Sequence, residues 1–297
     1  MNFPDRGDVD HLIDPQPLPG FARVRYEPET AAVDDPSAAA RTEFDRLDFD
    51  GLEPGATVAV AVGSRGIHRI DDITEAIVKA IRDRGFEPVV VPAMGSHGGA
   101  TPEGQREVLE SLGITASRLD APIDARMDTT QVDTVTVGDT ELPVHVSVAA
   151  QETDAVVVVN RVKPHTNYSG RIESGLTKMT VVGLGKQHGA KAFHSTAIKE
   201  GYVETLETAL PVVEAALPLV GGVALTENFH EETAHVEAIP AGSFTDREPA
   251  LLEQAYDEMA TLPVDDIDLL VVDELGKDVS GAGMDTNVVG RYRVLNA

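Results

Sequence analysis

Cysteine is missing from all 297 residues. Disulfides, iron–sulfur clusters and thiolate zinc sites are thereby excluded, so any metal has to be held by histidine, by carboxylate or by a prosthetic group. Long apolar runs are missing too. No stretch of about 18 apolar residues occurs, and the N-terminal Met1-Asn-Phe-Pro-Asp-Arg-Gly-Asp8 lacks a basic region followed by an apolar core. Neither secretion nor membrane spanning is expected, and a cysteine-free composition points to a cytoplasmic setting. Positive charge is scarce: 24 Lys and Arg face 50 Asp and Glu, for a net charge of −26. Nucleic acid is disfavoured as a partner, because phosphate binding needs a basic face. The acidic residues are dispersed rather than gathered in one tail. That leaves two readings, a salt-adapted surface from a halophilic cytoplasm or affinity for a basic partner protein, and the second would more naturally produce a local acidic block.

What is present alternates. The length permits one large or two moderate domains. Residues 1–56 are Asp- and Pro-rich, with a strand expected at Phe21–Tyr26 and a helix near Pro36–Leu47; His11 stands alone there. Thr57–Gly63 reads as an apolar strand running into Ser64-Arg65-Gly66, and Asp71-Asp72 are expected to cap a helix with apolar positions Ile73, Ile77 and Ile81. An arginine between small residues at a strand-to-helix turn suits a carboxylate or phosphate, although neither the P-loop nor the Gly-x-Gly-x-x-Gly spacing is present. The plan repeats with a strand at Phe86–Pro92, a turn Ala93-Met-Gly95-Ser96-His97-Gly98-Gly99-Ala100, and a helix opened by Thr101 as cap and Pro102. Glycines there let the backbone approach a ligand while the His97 imidazole projects from the strand end. Residues 130–148 read as a β-hairpin turning at Gly138-Asp139, with His145 a strand residue.

The densest polar chemistry follows. Asp154–Asn160 is a β-branched run expected to be a buried parallel strand, and it ends at Arg161-Val-Lys-Pro-His165. Then come Glu173-Ser-Gly-Leu-Thr-Lys178-Met179, His188 and, sixteen residues after the lysine, His194. Helices are expected at Ala190–Glu200, Val203–Ala216 and Glu248–Met259, and a strand at Leu219–Leu225. His230 and His235 fall in a hairpin-like stretch. The chain then passes through Ile267–Asp273 to a Gly-rich segment, 276–285. The expected fold class is α/β: a mainly parallel sheet with helices on both faces over residues 1–262, and the beginning of a second α/β domain over 263–297. Ligands bind at the carboxyl ends of such strands, where Arg65, His97 and His165 would meet.

Four motifs in this order and spacing, Gly-Ser-Arg65-Gly-Ile, Ala-Met-Gly-Ser-His97-Gly-Gly-Ala-Thr-Pro-Glu-Gly-Gln, Lys-Pro-His165-Thr and Glu-Ser-Gly-Leu-Thr-Lys178-Met with Gly-Leu-Gly-Lys-Gln, resemble the nickel-dependent lactate racemase family over roughly Thr57 to Arg291. The resemblance is stronger to homologues of unassigned substrate than to the lactate enzymes. It implies a nickel-pincer nucleotide joined to Lys178, with His194 as nickel ligand, His97 and His165 as the acid/base pair, and Arg65 holding the substrate carboxylate. Ser64, Gly95, Ser96, Gly98 and Gly99 are the further cofactor-binding candidates. It also implies an isomerase of a 2-hydroxy acid that depends on cofactor-synthesis enzymes; no nucleic-acid or membrane partner is expected, and homo-oligomer formation stays open. Lactate racemases carry Thr-Arg-Pro where this chain has Ser64-Arg65-Gly66, so different substrate-side contacts are expected. Two other classes compete. A binding protein without turnover would tolerate loss of Lys178, His194, His97 or His165, and all four are present; a metal-dependent hydrolase would want a His-x-x-x-His or carboxylate cluster at a strand end, and none is.

Overall fold

The computed structural model of the protein describes residues 20–64, 66–274 and 285–289. Arg65 and the Gly-rich segment from 275 to 284 lie outside the described residues. Two β-branched runs form the centre of a five-stranded sheet, β1 (Thr57–Val62) and β5 (Ala155–Arg161). Around them lie β2 (Glu87–Pro92), β6 (Leu219–Glu227) and β7 (Thr233–Pro240), in the order β2-β1-β5-β6-β7. All neighbours pair in parallel except β6 and β7, which form an antiparallel edge.

Both central strands are buried on both faces, which is why they read as continuous apolar runs rather than alternating ones. Successive residues still diverge to opposite sides. Ala59, Ala61, Val156 and Val158 join one core cluster, and Val58, Val60, Val62, Val157 and Val159 the other. The second cluster is closed by helices α1 (Pro36–Phe44), α2 (Ile70–Asp83) and α3 (Pro102–Ser111). On the first side lie α4 (Lys186–Glu200), α5 (Tyr202–Ala216) and α6 (Phe244–Glu258). Ile73, Ile77 and Ile81 recur every four residues on α2 and are fully buried; each such burial contributes roughly 1.5–3 kcal/mol. A two-stranded hairpin, β3 (Thr129–Val137) and β4 (Thr140–Ser147), turns at Gly138-Asp139 as expected and packs on α4 and α5.

Two local expectations fail. The stretch Phe21–Tyr26 is not a strand: Phe21 is 91% and Val24 79% exposed. Arginines alternate there with apolar residues, and the stretch pairs with none of the described strands, so its apolar face stays unburied. At the start of α2 the cap position is Arg69, held in a left-handed conformation (φ 54), while Asp71 and Asp72 sit inside the first turn and pair with Arg118. Carboxylates there still favour the helix through its dipole. Beyond α6, residues 263–274 form no strand, and Leu269 and Val271 are largely exposed. A single helical turn, Thr286–Val289, lies against the loop after β5: the Asn287 side chain donates to the His165 carbonyl at 3.3 Å and the Thr286 hydroxyl to that of Thr166 at 3.2 Å. Among the described residues no helix is long and apolar enough to cross a membrane.

The topology fixes where a site belongs. From β1 the chain moves outward to β2 on one side, and it later returns to place β5 on the other side of β1. A crevice opens at the carboxyl ends of strands where the order reverses in this way.

Candidate functional site at the sheet switch point

Three loops leave the carboxyl ends of β1, β2 and β5 and meet over that crevice. The β2 loop is shaped by glycine: Gly95, Gly98 and Gly99 all have positive φ, a region that side chains disfavour. Gly104 is required for a different reason, since a Cβ there would collide with the Gly98 carbonyl. Thr101 caps α3 as expected, its hydroxyl accepting from Gly104 N at 3.1 Å. The loop thus presents His97, whose Nδ1 hydrogen-bonds to the Ser64 hydroxyl at the end of β1.

The β5 loop is closed at its base, where Lys163 and Ser174 exchange backbone hydrogen bonds of 3.0 and 3.2 Å. Inside it Glu173 is 2% exposed. Its carboxylate accepts from the backbone of His165 and Gly170 and from the Tyr256 hydroxyl of α6. Burial pushes the Glu173 pKa up, against the pull of those donors and of Lys178. The Tyr168 hydroxyl donates to the Glu173 carbonyl at 3.0 Å, and its ring lies 4.5 Å from that of His165 and stacks on Tyr202 at 4.2 Å. The ring of His165 is oriented by Asn167 N, which donates to Nδ1 at 3.0 Å; the neutral ring therefore carries its proton on Nε2.

After this loop comes a single helical turn, Leu176–Lys178, which widens into a π-turn over Met179–Gly183 before α4 begins. Such π-turns recur at functional sites. The backbone N–H groups of Leu176 and Thr177 both donate to the carboxylate of Glu248, a buried residue of α6. Burial raises the Glu248 pKa to about 7, with Thr177 and Leu176 opposing. Asn160 adds a tie from the end of β5, its amide donating to the Gly175 carbonyl at 3.1 Å. His194, on α4, faces the cleft and keeps accessible surface there. Desolvation by the surrounding walls, and then the positive charge of Lys178 and His97, lower its pKa. It is consequently a neutral imidazole with a lone pair to offer at neutral pH.

His97, His165, Lys178 and His194 line one cleft of about 1010 Å³, together with Ser64, Gly95 and Ser96. Gly98 and Gly99 are not among its lining residues. Gly98 packs against Gly104, and no atom lies near the Gly99 position that a side chain would occupy. His188 is outside the cleft, exposed at the start of α4, where Nδ1 meets the Thr129 hydroxyl at 3.0 Å and the ring lies 5.7 Å from His145. Several cleft residues are given no role by sequence reasoning: Asn160, Arg161, Lys163, Tyr202, His68 and Glu227. Arg161 forms an ion pair with Glu227, which also accepts from His68 N at 2.7 Å. Two cations flanking the end of a buried strand were the available signal for Arg161 and Lys163. No signal of that kind marks Glu227, sixty-six positions away from Arg161. Among the described residues no three histidine or carboxylate groups cluster to hold a metal.

Residues 66–276 match the family described as "Domain of unknown function (DUF362)". No curated protein matches the sequence. Among solved structures, a protein from Thermotoga maritima determined by a structural-genomics consortium is similar over 77% of this chain, with 16% identity and a TM-score of 0.58. The lactate racemase apoprotein from Thermoanaerobacterium thermosaccharolyticum is similar over 77% as well, with 12% identity and a TM-score of 0.52. The matched parts cover 60% and 57% of those two chains. At these identities the likeness establishes a shared α/β fold.

Proposed function

The chain belongs to the DUF362 family, and from that premise we propose that it is a racemase or epimerase of a 2-hydroxy acid that works with a nickel-pincer nucleotide linked to Lys178. The observation that carries this reading is the convergence of Lys178, His194, His97 and His165 on one cleft at the sheet switch point. The donor set suits the group. A neutral imidazole lies beside an amine, and a metal that finds no three-residue ligand cluster among the described side chains has to bring most of its ligands with it. A cleft of about 1010 Å³ has room for a mononucleotide and a small acid. When bound, the group would supply an electron-accepting carbon for hydride transfer.

The protein's own side chains then handle binding and protons. Lys178 would hold the nucleotide and His194 the nickel. The backbone at Gly95 and Ser96 would approach the bound group closely. Arg65 would hold the substrate carboxylate, with Lys163 as a second cation in the cleft. His97 and His165 end loops from different strands, β2 and β5, so they can address a substrate hydroxyl from two sides. His97, hydrogen-bonded at Nδ1 to the Ser64 hydroxyl, would act as the base in the tautomer that donates to Ser64 and leaves the lone pair on Nε2. His165, whose Nδ1 accepts from Asn167 N, would return a proton as an imidazolium, for which that contact has to be given up. Departure from Thr-Arg-Pro around Arg65 favours a substrate other than lactate.

The test is to produce the protein with the cofactor-synthesis enzymes and measure intact mass, nickel content and interconversion of a panel of 2-hydroxy acids. A mass increment mapping to Lys178, loss of nickel in His194→Ala but not His188→Ala, and turnover of at least one acid are expected. An unmodified Lys178 beside retained nickel would overturn the covalent link. Modified, nickel-loaded protein that turns over no member of a broad panel would instead favour a binding role without catalysis.

A further inference from the structure

Lys186 has no exposed surface, although lysine is almost never fully buried. It begins α4 with a left-handed backbone (φ 50), a conformation that costs a non-glycine residue on the order of 1 kcal/mol or more. It does not line the cleft. Its ammonium group donates to the Pro92 carbonyl at the end of β2 at 2.6 Å and to Gln105 Oε1 at 3.2 Å. Gln105, also fully buried, uses the other end of its amide on the β2 loop, donating to the carbonyl of Gly95 at 2.9 Å and to that of His97 at 3.3 Å. The loop is tied from the far side by Gly95 N, which donates to the Gly183 carbonyl at 3.0 Å. Desolvation pulls the Lys186 pKa down to about 8, against the attraction of Asp124.

An apolar side chain of similar length would fill this space without a desolvation cost. Lysine supplies something an apolar chain cannot. A glutamine amide has an acceptor end and a donor end of nearly equal size, and a cation beside Oε1 dictates which end faces which way. With Nζ on Oε1, the Nε2 donors of Gln105 point at the two carbonyls that flank Ser96. The same lysine belongs to the helix that carries His194 two turns later.

We propose that Lys186 is a positioning residue: acting through Gln105, it fixes the Gly95–Gly99 loop, and with it His97, against the helix that bears His194. The functional half of this inference rests on the site reading given above; the structural half does not. Amide hydrogen exchange on the full-length protein without cofactor reads that half directly, in Lys186→Met, Gln105→Leu and Gln105→Glu. Gln105→Glu keeps an acceptor for Nζ but removes both donors to the loop. Exchange across residues 94–104 should rise about 10-fold or more in all three variants, with β1 and α5 unchanged. Should Lys186→Met fail to fold, the two Gln105 variants decide. Unchanged loop exchange in them overturns the proposal, and so does a uniform rise over the whole chain, which would mark a general packing role. In cofactor-loaded protein the same variants should lower kcat with little change in KM or nickel content. A wild type that shows no turnover would sink the proposed activity and leave the exchange result to decide the role of Lys186.

Discussion

Glu248→Gln isolates one buried carboxyl and asks whether it titrates where its surroundings dictate. Glu248 is 1% exposed, and burial raises its pKa from the usual 4.5 to about 7. Gln keeps the shape and one acceptor oxygen for the N–H groups of Leu176 and Thr177 but carries no charge. A carboxyl whose folded pKa lies above its unfolded value binds its proton more tightly in the folded state. The stability it contributes is complete below pH 4.5 and is lost as the pH rises through about 7. A displacement from 4.5 to about 7 corresponds to roughly 3 kcal/mol. Urea unfolding of wild type and variant should therefore give a stability difference that moves by about that amount in favour of Glu248→Gln between pH 4 and pH 8, at constant salt. Other titrations, remote from the site, cancel in the difference. A difference that stays flat over this range would show that the carboxylate is ionised throughout, its two backbone donors outweighing desolvation, and the reasoning from burial would be wrong.

The remaining predictions concern chemistry and loop shape. In cofactor-loaded protein His97→Ala and His165→Ala should each lower interconversion by about 10²- to 10⁴-fold, the usual contribution of general acid–base catalysis, with nickel content unchanged; full activity in either variant would remove that histidine from the mechanism. Gly104→Ala places a methyl group against the Gly98 carbonyl and should cost about 1–3 kcal/mol of stability, measured by urea unfolding, whereas wild-type stability would mean that the β2 loop shifts freely.

The scaffold was legible because its signals are local. Val58–Val62 and Ala155–Asn160 are runs whose composition alone announces strands buried on both faces, and Gly138-Asp139 sits between two alternating stretches as a hairpin turn. The histidines were legible for a related reason, since His97 and His165 each follow such a strand. Contacts between distant segments were not. Nothing near Glu248 says that it meets backbone N–H groups more than 70 positions earlier, and a Pro follows it within the helix. Lys186 reads as one more charged residue in a polar turn, because its burial depends on the carbonyl of Pro92 and on α3. The same holds for Arg69, which takes the cap position because Ile70 packs into the core from the residue that follows it, while the carboxylates that look like caps are drawn to Arg118 on another element.

Helix α6 shows why these distant contacts concentrate at the site. Glu248 and Tyr256 are eight residues apart, about two helical turns, and so lie on neighbouring parts of one face. Glu248 holds the turn that carries Lys178, and Tyr256 donates to Glu173, which in turn holds the backbone of His165. One rigid element thus sets the positions of two loops that leave different points of the chain. Neither contact lowers the energy of the fold cheaply, because each keeps a carboxyl group out of water with only partial compensation. An apolar contact would stabilise as well but would leave the loops free to slide, since apolar packing is not directional. Hydrogen bonds to a fixed carboxylate specify the register of the backbone that donates them. The buried polar groups around this cleft therefore fix the turn that carries Lys178 and the backbone of His165 relative to α6, a directional constraint that the aliphatic core of the sheet does not supply.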